Sequence, residues 1–443
     1  MTTYAIRTFG CQMNKHDSER IAGLLEASGY TPADVLEEAD VIVYNTCCVR
    51  ETADERMLGQ VASLKALKTG DRPDVLIAVG GCVGQRDGER LLRELPHLDV
   101  VFGTHNIHEL PTLLEASLAG RPAVSVLDEG TAFASDLPSR REHPWHAWVS
   151  ITVGCDNHCT YCIVPRVRGA ERSRAFEDVI VEAEALVAEG VLEITLLGQN
   201  VNSYGRDLYG EPRFAELLSA VAATGIKRIR FATSHPKDLS DETIAAMAAA
   251  PAVLPYLHLP FQSGSDRILA AMNRHYTHEA YLALIGRIRA AMPEIALSTD
   301  IIVGFPGETE RDFEDTMDLV REVGFDHAFT FIYSPREGTP AADLDDSVSR
   351  EVAQERFDRL AALVRDLSFD ANRREVGRIR SCLVEGPSKR DPLVLSCRTP
   401  HNRLVHVRLP EGSRTAEWSG TLRDVRITSA HPWFLGGEFV AAE

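Results

Sequence analysis

Through the first quarter of the chain, short strand-like runs alternate with stretches whose apolar residues recur every three or four positions. The runs at 4–8, 41–45 and 75–79 read as strands, and the periodic stretches at 17–28, 52–67 and 84–95 as helices. Repeated strand–helix–strand units predict a parallel sheet with helices on both faces. From residue 147 the alternation resumes and lasts longer. Strands are expected at 148–153, 193–197, 228–232, 256–259, 297–303 and 327–332, with helices between them such as 176–189 and 311–323. Six such units suit a partial TIM-type barrel, whose functional residues gather at the C-terminal ends of its strands. A long helical pattern over 349–374 closes this block. Its Phe357, Leu360, Val364 and Leu367 share one face, expected to pack on the barrel. After Gly377 the texture changes to short runs at 379–384, 393–396, 404–408 and 422–427, separated by Gly, Pro, Asp and Asn. That spacing predicts a small antiparallel β-barrel.

The fold class is therefore α/β in three parts, as a chain of 443 residues requires. The expected domains are 2–120, a linker at 121–140, 141–374 and 376–443, with Ser, Pro and charge concentrated over 128–145. Hydrophobic residues make up 44% and charged residues 25%, the balance of a soluble globular protein. No apolar run approaches the roughly 20 residues a membrane span needs. The start, MTTYAIRTFGCQ, lacks a signal pattern, so a cytoplasmic protein with no membrane partner is expected. Net charge is −18, which argues against indiscriminate nucleic-acid binding. Yet residues 376–443 carry ten Lys and Arg against seven Asp and Glu, so the basic excess is confined to the last module.

Nine cysteines in a cytosolic chain point to metal or catalytic thiols rather than disulfides. Cys155, Cys159 and Cys162 stand together in GCDNHCTYC, directly after the first expected barrel strand. Iron–sulfur cubes usually have four thiolate ligands, so three suggest a cluster with one iron kept open. The alternative is a zinc knuckle using His158, although structural zinc pairs usually come as two CxxC halves. A second set is dispersed. Cys11, Cys47 and Cys82 each follow one of the first three strands, and those loops emerge on one edge of a parallel sheet. The bland alternative is three buried cysteines serving as small hydrophobes. Cys48 adjoins Cys47, but adjacent side chains on an extended strand end point opposite ways. Cys382 and Cys397 have no partners at ligand spacing and read as structural. Gly304 and Gly307 in DIIVGFPGE allow close backbone approach to a ligand, while LGQNVNSYG and Ser234-His235 place polar groups at strand ends. Arg166, Arg168, Arg172 and Arg174 follow the triplet. They read as a solvated loop or as a cationic steer for a phosphate backbone.

Taken together these motifs resemble the radical S-adenosylmethionine methylthiotransferases over essentially the whole length. GCQMN (10–14), NTCCVRE (45–51) and GGCV (80–83) look like that family's N-terminal domain. GCDNHCTYCIVP looks like the radical-SAM cluster loop, LPFQSGS (259–265) and DIIVGFPGE like its barrel motifs, and LVEGPSKRD with RTPHNRLV like its TRAM domain. The resemblance implies that Cys155, Cys159 and Cys162 hold one 4Fe-4S cluster whose open iron chelates S-adenosylmethionine. One-electron reduction would then release a 5′-deoxyadenosyl radical that takes hydrogen from C2 of an adenine. It implies that Cys11, Cys47 and Cys82 hold an auxiliary 4Fe-4S cluster presenting sulfur, with Cys47 rather than Cys48 matched by NTC. A further S-adenosylmethionine would supply the methyl group. Gln199, Asn200, Ser234, Gly304 and Glu308 are the candidate S-adenosylmethionine contacts.

Within the family the motifs match the tRNA-modifying branch. The expected reaction is methylthiolation of C2 of N6-isopentenyladenosine at position 37, beside the anticodon. Expected partners are the tRNA anticodon stem-loop and a one-electron reductase system, with the chain acting as a monomer. The aromatics Trp418, Trp433 and Phe434 are candidates for base stacking or for core packing. Rival substrates are threonylcarbamoyl-adenosine in tRNA and a ribosomal-protein aspartate. A rival of another class is a non-catalytic iron–sulfur RNA-binding regulator.

Overall fold

A computed structural model of the chain describes residues 2–48, 51–120, 122–127 and 133–440, with backbone alone at 51–53. Val49 and Arg50 of the NTCCVRE motif, residues 128–132 of the expected linker and the last three residues of the C-terminal module lie outside the described residues.

The first part is a six-stranded parallel sheet in the order Thr31–Pro32, Thr3–Thr8, Val41–Thr46, Leu76–Gly81, Val100–Phe102, Ala123–Ser125. Its central strands are apolar throughout because both faces are buried. Val41 and Val43 enter one core with Leu76, Ala78 and Val100, while Ile42 and Tyr44 enter the other with Ile77, Val79 and Val101. The strands at 31–32, 100–102 and 123–125 escape periodicity analysis because two or three residues carry no readable period. The helix expected at 84–95 is two helices, Cys82–Asp87 and Glu89–Glu94, broken where Gly88 takes a φ of 45°. Part of the expected linker belongs to the domain. Ala123–Ser125 pairs with Val100–Phe102. Further on, the backbone of Pro138 and Ser139 lies so close to Gly23 that a Cβ there would sit 2.4 Å from the Pro138 carbonyl oxygen.

The central part has the six expected parallel strands as two three-stranded sheets. His146–Ser150, Glu193–Leu197 and Arg228–Ala232 form one, and Tyr256–His258, Ala296–Val303 and His327–Ile332 the other. A single parallel bridge, Ile229 to Val253, links the third strand towards the fourth. No pairing among the described residues joins the first strand to the sixth, so the barrel is open there. The helix Arg350–Arg373 closes it, with Leu360 and Val364 in the barrel core and Phe357 and Leu367 packed beside them.

The last part is a closed five-stranded barrel, Ile379–Pro387, Val394–Arg398, Leu404–Arg408, Leu435–Phe439 and Leu422–Ala430 in spatial order. Four of its pairings are antiparallel, but Leu404–Arg408 and Leu435–Phe439 run parallel. The fifth strand contains Gly436 and Gly437 and has no apolar alternation to betray it. Cys382 and Cys397 are fully buried in its core, as a structural role requires. Among the described residues no helix is long and apolar enough to cross a membrane.

The outer parts sit on opposite ends of the central barrel. The N-terminal domain contacts the loops that follow the strands, through Thr104 Oγ1 donating to the Val167 carbonyl at 2.7 Å and an Arg168–Asp17 ion pair at 2.9 Å. The C-terminal module contacts the residues that begin the strands. Arg230 Nη2 donates to the Thr399 carbonyl at 2.9 Å, Arg403 pairs with Asp326, and Trp145 packs over Gly420.

Candidate metal centres at the top of the barrel

The triplet loop leaves the short strand Thr152–Val153 at Gly154. Gly154 has a φ of 79°, and a Cβ on it would lie 1.9 Å from the Ala170 carbonyl oxygen, so only glycine can make this turn. The turn lets Cys155 N–H donate to the Gly169 carbonyl at 3.1 Å, and Cys162 N–H donates to the Cys159 carbonyl at 3.0 Å. Cys155 Sγ accepts from Asn157 N–H at 3.4 Å and Cys159 Sγ from Arg274 Nη1 at 3.3 Å. Burial pushes the Cys155 thiol up to about 11 and the Cys162 thiol up to about 12, and neighbouring thiols push the same way. Cys155 and Cys162 therefore resist ionisation, and a cationic cluster core would supply the charge that favours their thiolates. Among the described residues no three His, Cys, Asp or Glu side chains are gathered as ligands of a single ion would be, and His158 is exposed. The donor set thus fits a cluster better than a zinc knuckle.

Cys11, Cys47 and Cys82 come together across three loops of the N-terminal sheet. Gly10, at φ 121°, packs so tightly on the second loop that a Cβ would meet Cys47 Cβ at 2.4 Å. The polar residues of the same motifs tie the loops. Asn14 Nδ2 donates to the Thr46 carbonyl at 2.8 Å, Asn45 Nδ2 to the Asn14 carbonyl at 2.8 Å, and Thr46 Oγ1 to the Gly80 carbonyl at 2.6 Å. Cys47 and Cys82 are buried and Cys11 is exposed at the mouth. Protein packed around Cys11 raises its thiol, against the pull of Arg168. Cys82 is held below the usual thiol range by a hydrogen bond from Cys48 and by the Arg168 charge. Cys48 therefore turns towards Cys82, not away as alternation along a strand would have it. The strand ends at Thr46, so by residue 48 the chain has left extended geometry.

The arginine run is neither a solvated loop nor a phosphate steer at two of its four positions. Arg168 ends the helix Val164–Arg168, is 4% exposed, and pairs with Asp17 of the N-terminal domain. Arg174 is 5% exposed; its Nη1 donates to the Ser150 carbonyl at 3.0 Å and pairs with Glu182, which also holds Arg20. Ile163 and Val167 of the same segment lie inside the N-terminal core. Only Arg166 is exposed, and Arg172 lies over the Phe133 ring at 5.0 Å.

Next to the triplet, three neighbouring strand-end loops aim polar atoms at no protein partner. Thr152 Oγ1, Asn200 Oδ1, Asn202 Nδ2 and Ser234 Oγ are buried and without a hydrogen bond, a condition normally relieved by a bound group or water. Gln199 adjoins them, half-buried. Backbone strain clusters here as well. Thr233, Gln262, Asn273 and His275 have φ between 57° and 71°, which for a β-branched threonine is a marked outlier. Arg274 binds this wall to the triplet, since its Nε donates to Tyr276 Oη at 3.1 Å and its Nη2 to the Pro260 carbonyl at 2.9 Å. Tyr276 meets the edge of His235, which burial keeps neutral by pushing it down to about 2. Gly304 and Glu308 face elsewhere. A Cβ on Gly304 would strike Ala353 Cβ at 2.7 Å, and Glu308 Oε2 accepts from Gly304 N–H and from Arg356 Nη1, both at 2.8 Å. These two positions brace the closing helix. Arg274, Tyr276, Thr152 and Asp17 had no motif signal, because their neighbours in space are remote in sequence.

In the C-terminal module the RTPHNRLV segment is the docking loop. The Thr399 carbonyl accepts from Arg228 and Arg230, His401 is buried, and Arg403 reaches Asp326 and Asn372. Lys389, Arg390, Arg408 and Arg423 remain exposed, and Arg423 lies 4.9 Å over the Trp418 ring. Trp433 is 54% exposed, while Phe434 stacks on His431 at 4.3 Å and Trp418 packs on Phe439.

A partial parallel barrel carrying three thiols at the end of its first strand, beside unpartnered polar atoms, defines the class as radical SAM. The Radical SAM superfamily model matches residues 149–320, and that of an uncharacterized protein family, UPF0004, matches residues 3–103. The radical SAM methyltransferase TsrM from Kitasatospora setae, with cobalamin and a 4Fe-4S cluster bound, shares the fold at a TM-score of 0.56 and 14% identity, over 77% of this chain and 74% of that one. The chain is 52% identical over 443 residues to tRNA-2-methylthio-N(6)-dimethylallyladenosine synthase of Streptomyces griseus, covering 98% of this chain and 87% of that protein. It is equally 52% identical to the protein of that name from Acidothermus cellulolyticus, with the same coverage. The chain belongs to the tRNA-2-methylthio-N(6)-dimethylallyladenosine synthase family of radical SAM methylthiotransferases.

Proposed function

We propose that this enzyme methylthiolates C2 of N6-isopentenyladenosine at position 37 of tRNA. We place one 4Fe-4S cluster with S-adenosylmethionine on Cys155, Cys159 and Cys162, and a second cluster on Cys11, Cys47 and Cys82. The observation that carries the reading is that two three-thiol sets lie at opposite ends of one short connection, residues 163–168, whose Ile163, Val167 and Arg168 are buried against the N-terminal domain. When bound, these cofactors supply the reducing electron, the radical and the transferable sulfur and methyl groups.

The protein's own contribution is placement and exclusion of water. Asn200 and Ser234, with Gln199 and Thr152, offer a polar seat for S-adenosylmethionine at the strand ends beside the triplet. Arg274 donates to Cys159 Sγ and holds it in place. Neutral His235 lines the wall without adding charge. The Asn14–Asn45–Thr46 network fixes the second set, so that it faces the first across the barrel mouth. The exposed Lys389, Arg390, Arg408 and Arg423, with Trp433, form the surface that engages the tRNA backbone and its unstacked bases. We further propose that the chain works as a cytoplasmic monomer served by a one-electron reductase.

Mass analysis of nucleosides from bulk tRNA of a strain lacking this chain tests the reading. The 2-methylthio derivative should vanish, N6-isopentenyladenosine should accumulate, and the wild-type chain should restore the product. Persistence of the 2-methylthio derivative in the deletion strain would refute the substrate.

A further inference from the structure

Arg168 is the residue that the mechanism above leaves without a task, although it is among the most deeply buried cations of the described residues. It stands six residues beyond Cys162 in sequence, yet its guanidinium lies in the N-terminal domain. There one nitrogen, Nη2, holds Asp17 Oδ2 at 2.9 Å. Val167, beside it in the chain, shares a core cluster with Cys82 and Val83, and Asp17 lies on the helix that Cys11 caps, so the guanidinium charge acts on the Cys82 and Cys11 thiols. Burying a guanidinium costs several kcal/mol unless its surroundings are anionic. Asp17 supplies one negative charge. His16, packed beside Asp17, is kept neutral by its burial and adds none. The Cys82 and Cys11 side chains complete its surroundings, and an anionic thiolate-ligated cluster there would give the guanidinium a fuller set of counter-charges than Asp17 alone.

We propose that Arg168 is a positioning residue for the auxiliary cluster: from the radical-SAM loop it holds a fixed positive charge against the Cys82 and Cys11 side of the second thiolate set and raises that cluster's reduction potential. This rests on the second cluster's being bound by Cys11, Cys47 and Cys82. Reduction adds negative charge to a cluster, and a buried cation beside it favours the reduced form. Asp17 sets the size of the effect, because it partly cancels the guanidinium. The placement has a structural corollary. Helix Val164–Arg168 starts two residues after Cys162 and ends in this contact, with Ile163 and Val167 locked in the N-terminal core. The loop that presents one cluster is thereby anchored at the other.

Potentiometric titration of the anaerobically reconstituted full-length chain, followed by electron paramagnetic resonance, reads each cluster separately. Arg168→Gln should move the auxiliary midpoint to more negative potential and leave the Cys155–Cys159–Cys162 cluster where it is. Arg168→Lys should keep most of the wild-type value. Asp17→Asn should move the auxiliary midpoint the opposite way. That reversal of sign separates electrostatics from damage to the fold, and the double variant Asp17→Asn/Arg168→Gln, with no net buried charge, should return towards wild type. If Arg168→Gln fails to take up the auxiliary cluster while Arg168→Lys binds it, the positioning role stands. An unshifted midpoint in Arg168→Gln, or equal loss in Gln and Lys variants, overturns the proposal. A wild-type chain that binds only one cluster would instead overturn the reading on which it rests.

Discussion

The two ends of the central barrel are built on opposite principles. At the ends where the strands finish, Thr152, Asn200, Asn202 and Ser234 keep buried polar atoms without partners, and four non-glycine residues hold positive φ. At the ends where the strands begin, charges are matched. Glu193 lies between Arg228 at 2.7 Å and Arg230 at 3.2 Å, Asp326 meets Arg403, and Glu375 meets Arg380 at 2.7 Å. Unsatisfied groups and strain cost stability and persist where a ligand or a reaction uses them. The other end is not free of such groups, since His401 Nδ1 and Arg403 Nε lack partners and Asn402 has a φ of 63°, but its ion pairs supply the rigidity that makes the excess tolerable. The N-terminal domain caps the first end and the C-terminal module the second, so chemistry and mechanical support arrive from different domains.

The sharpest way to break this comparison is at the thiols. Cys159→Ala should abolish both 5′-deoxyadenosine formation and methylthiolation, remove about half of the bound iron, and leave the unfolding midpoint of the metal-free chain nearly unchanged. Cys82→Ala should also remove about half of the iron and stop methylthiolation, while 5′-deoxyadenosine is still formed. Product from either variant, scored by liquid chromatography with mass detection, would show that the strand-end thiols are not the chemical centre.

At the opposite end the expected effect is on stability. Glu193→Ala leaves Arg228 and Arg230 buried, at 3% exposure for Arg228, with only carbonyl acceptors from the docking loop. Breaking such a pair from one side costs about 3–5 kcal/mol. Urea unfolding of the metal-free chain should register that loss, while 5′-deoxyadenosine formed per folded, cluster-loaded molecule stays within about twofold of wild type. Lost chemistry at unchanged stability would erase the distinction between the ends.

This division explains what the sequence discloses. The triplet is legible because three ligands of one cluster sit on one loop, and the strand bounds at 193–197, 228–232 and 327–332 agree with the observed ones because each is a short run rich in apolar and β-branched residues between helical stretches. The dispersed trio is legible only through topology, since a parallel sheet brings successive strand-end loops to one edge. Arg168 misleads, because a cation's partner across a domain boundary leaves no trace in local spacing, and Arg174 because its partners Ser150 and Glu182 are remote in sequence. Gly304 is hard to read for a related reason. A glycine-rich turn after a strand looks the same whether it approaches a ligand or, as here, the Ala353 side of a packed helix.

Acid should weaken the supporting end as well as the chemical end, where His235 is buried neutral. His146 and His401 are both buried at the supporting end, and burial pushes each down to about 4. The folded chain excludes a proton that the unfolded chain accepts near pH 6.5. Stability from this source is complete above about pH 6.5 and declines as pH falls towards 4, by on the order of 1–3 kcal/mol for each imidazole. Unfolding free energies of the metal-free chain at pH 7 and pH 5 measure the decline, and His401→Gln should flatten it. A chain equally stable at both values would mean that these imidazoles are not desolvated and that the C-terminal module docks more loosely than its contacts indicate.

The smallest effect sharpens the comparison within the chemical end itself. Ser234 has a buried hydroxyl without any partner, whereas Glu308 keeps Oε1 unpartnered but its Oε2 already accepts from Gly304 and Arg356. One hydrogen bond to a ligand contributes about 0.5–1.5 kcal/mol, so Ser234→Ala should weaken S-adenosylmethionine binding by roughly 2- to 10-fold. The fold should tolerate the change, since the removed hydroxyl bonds nothing in the protein. Glu308→Gln should do the reverse, lowering the unfolding free energy by weakening the Arg356 pair while S-adenosylmethionine affinity stays within about twofold. Equilibrium binding to the cluster-loaded chain decides between them. If affinity follows Glu308 and ignores Ser234, then the cofactor lies towards the closing helix, and the unpartnered atoms of the first three strand-end loops serve a different group.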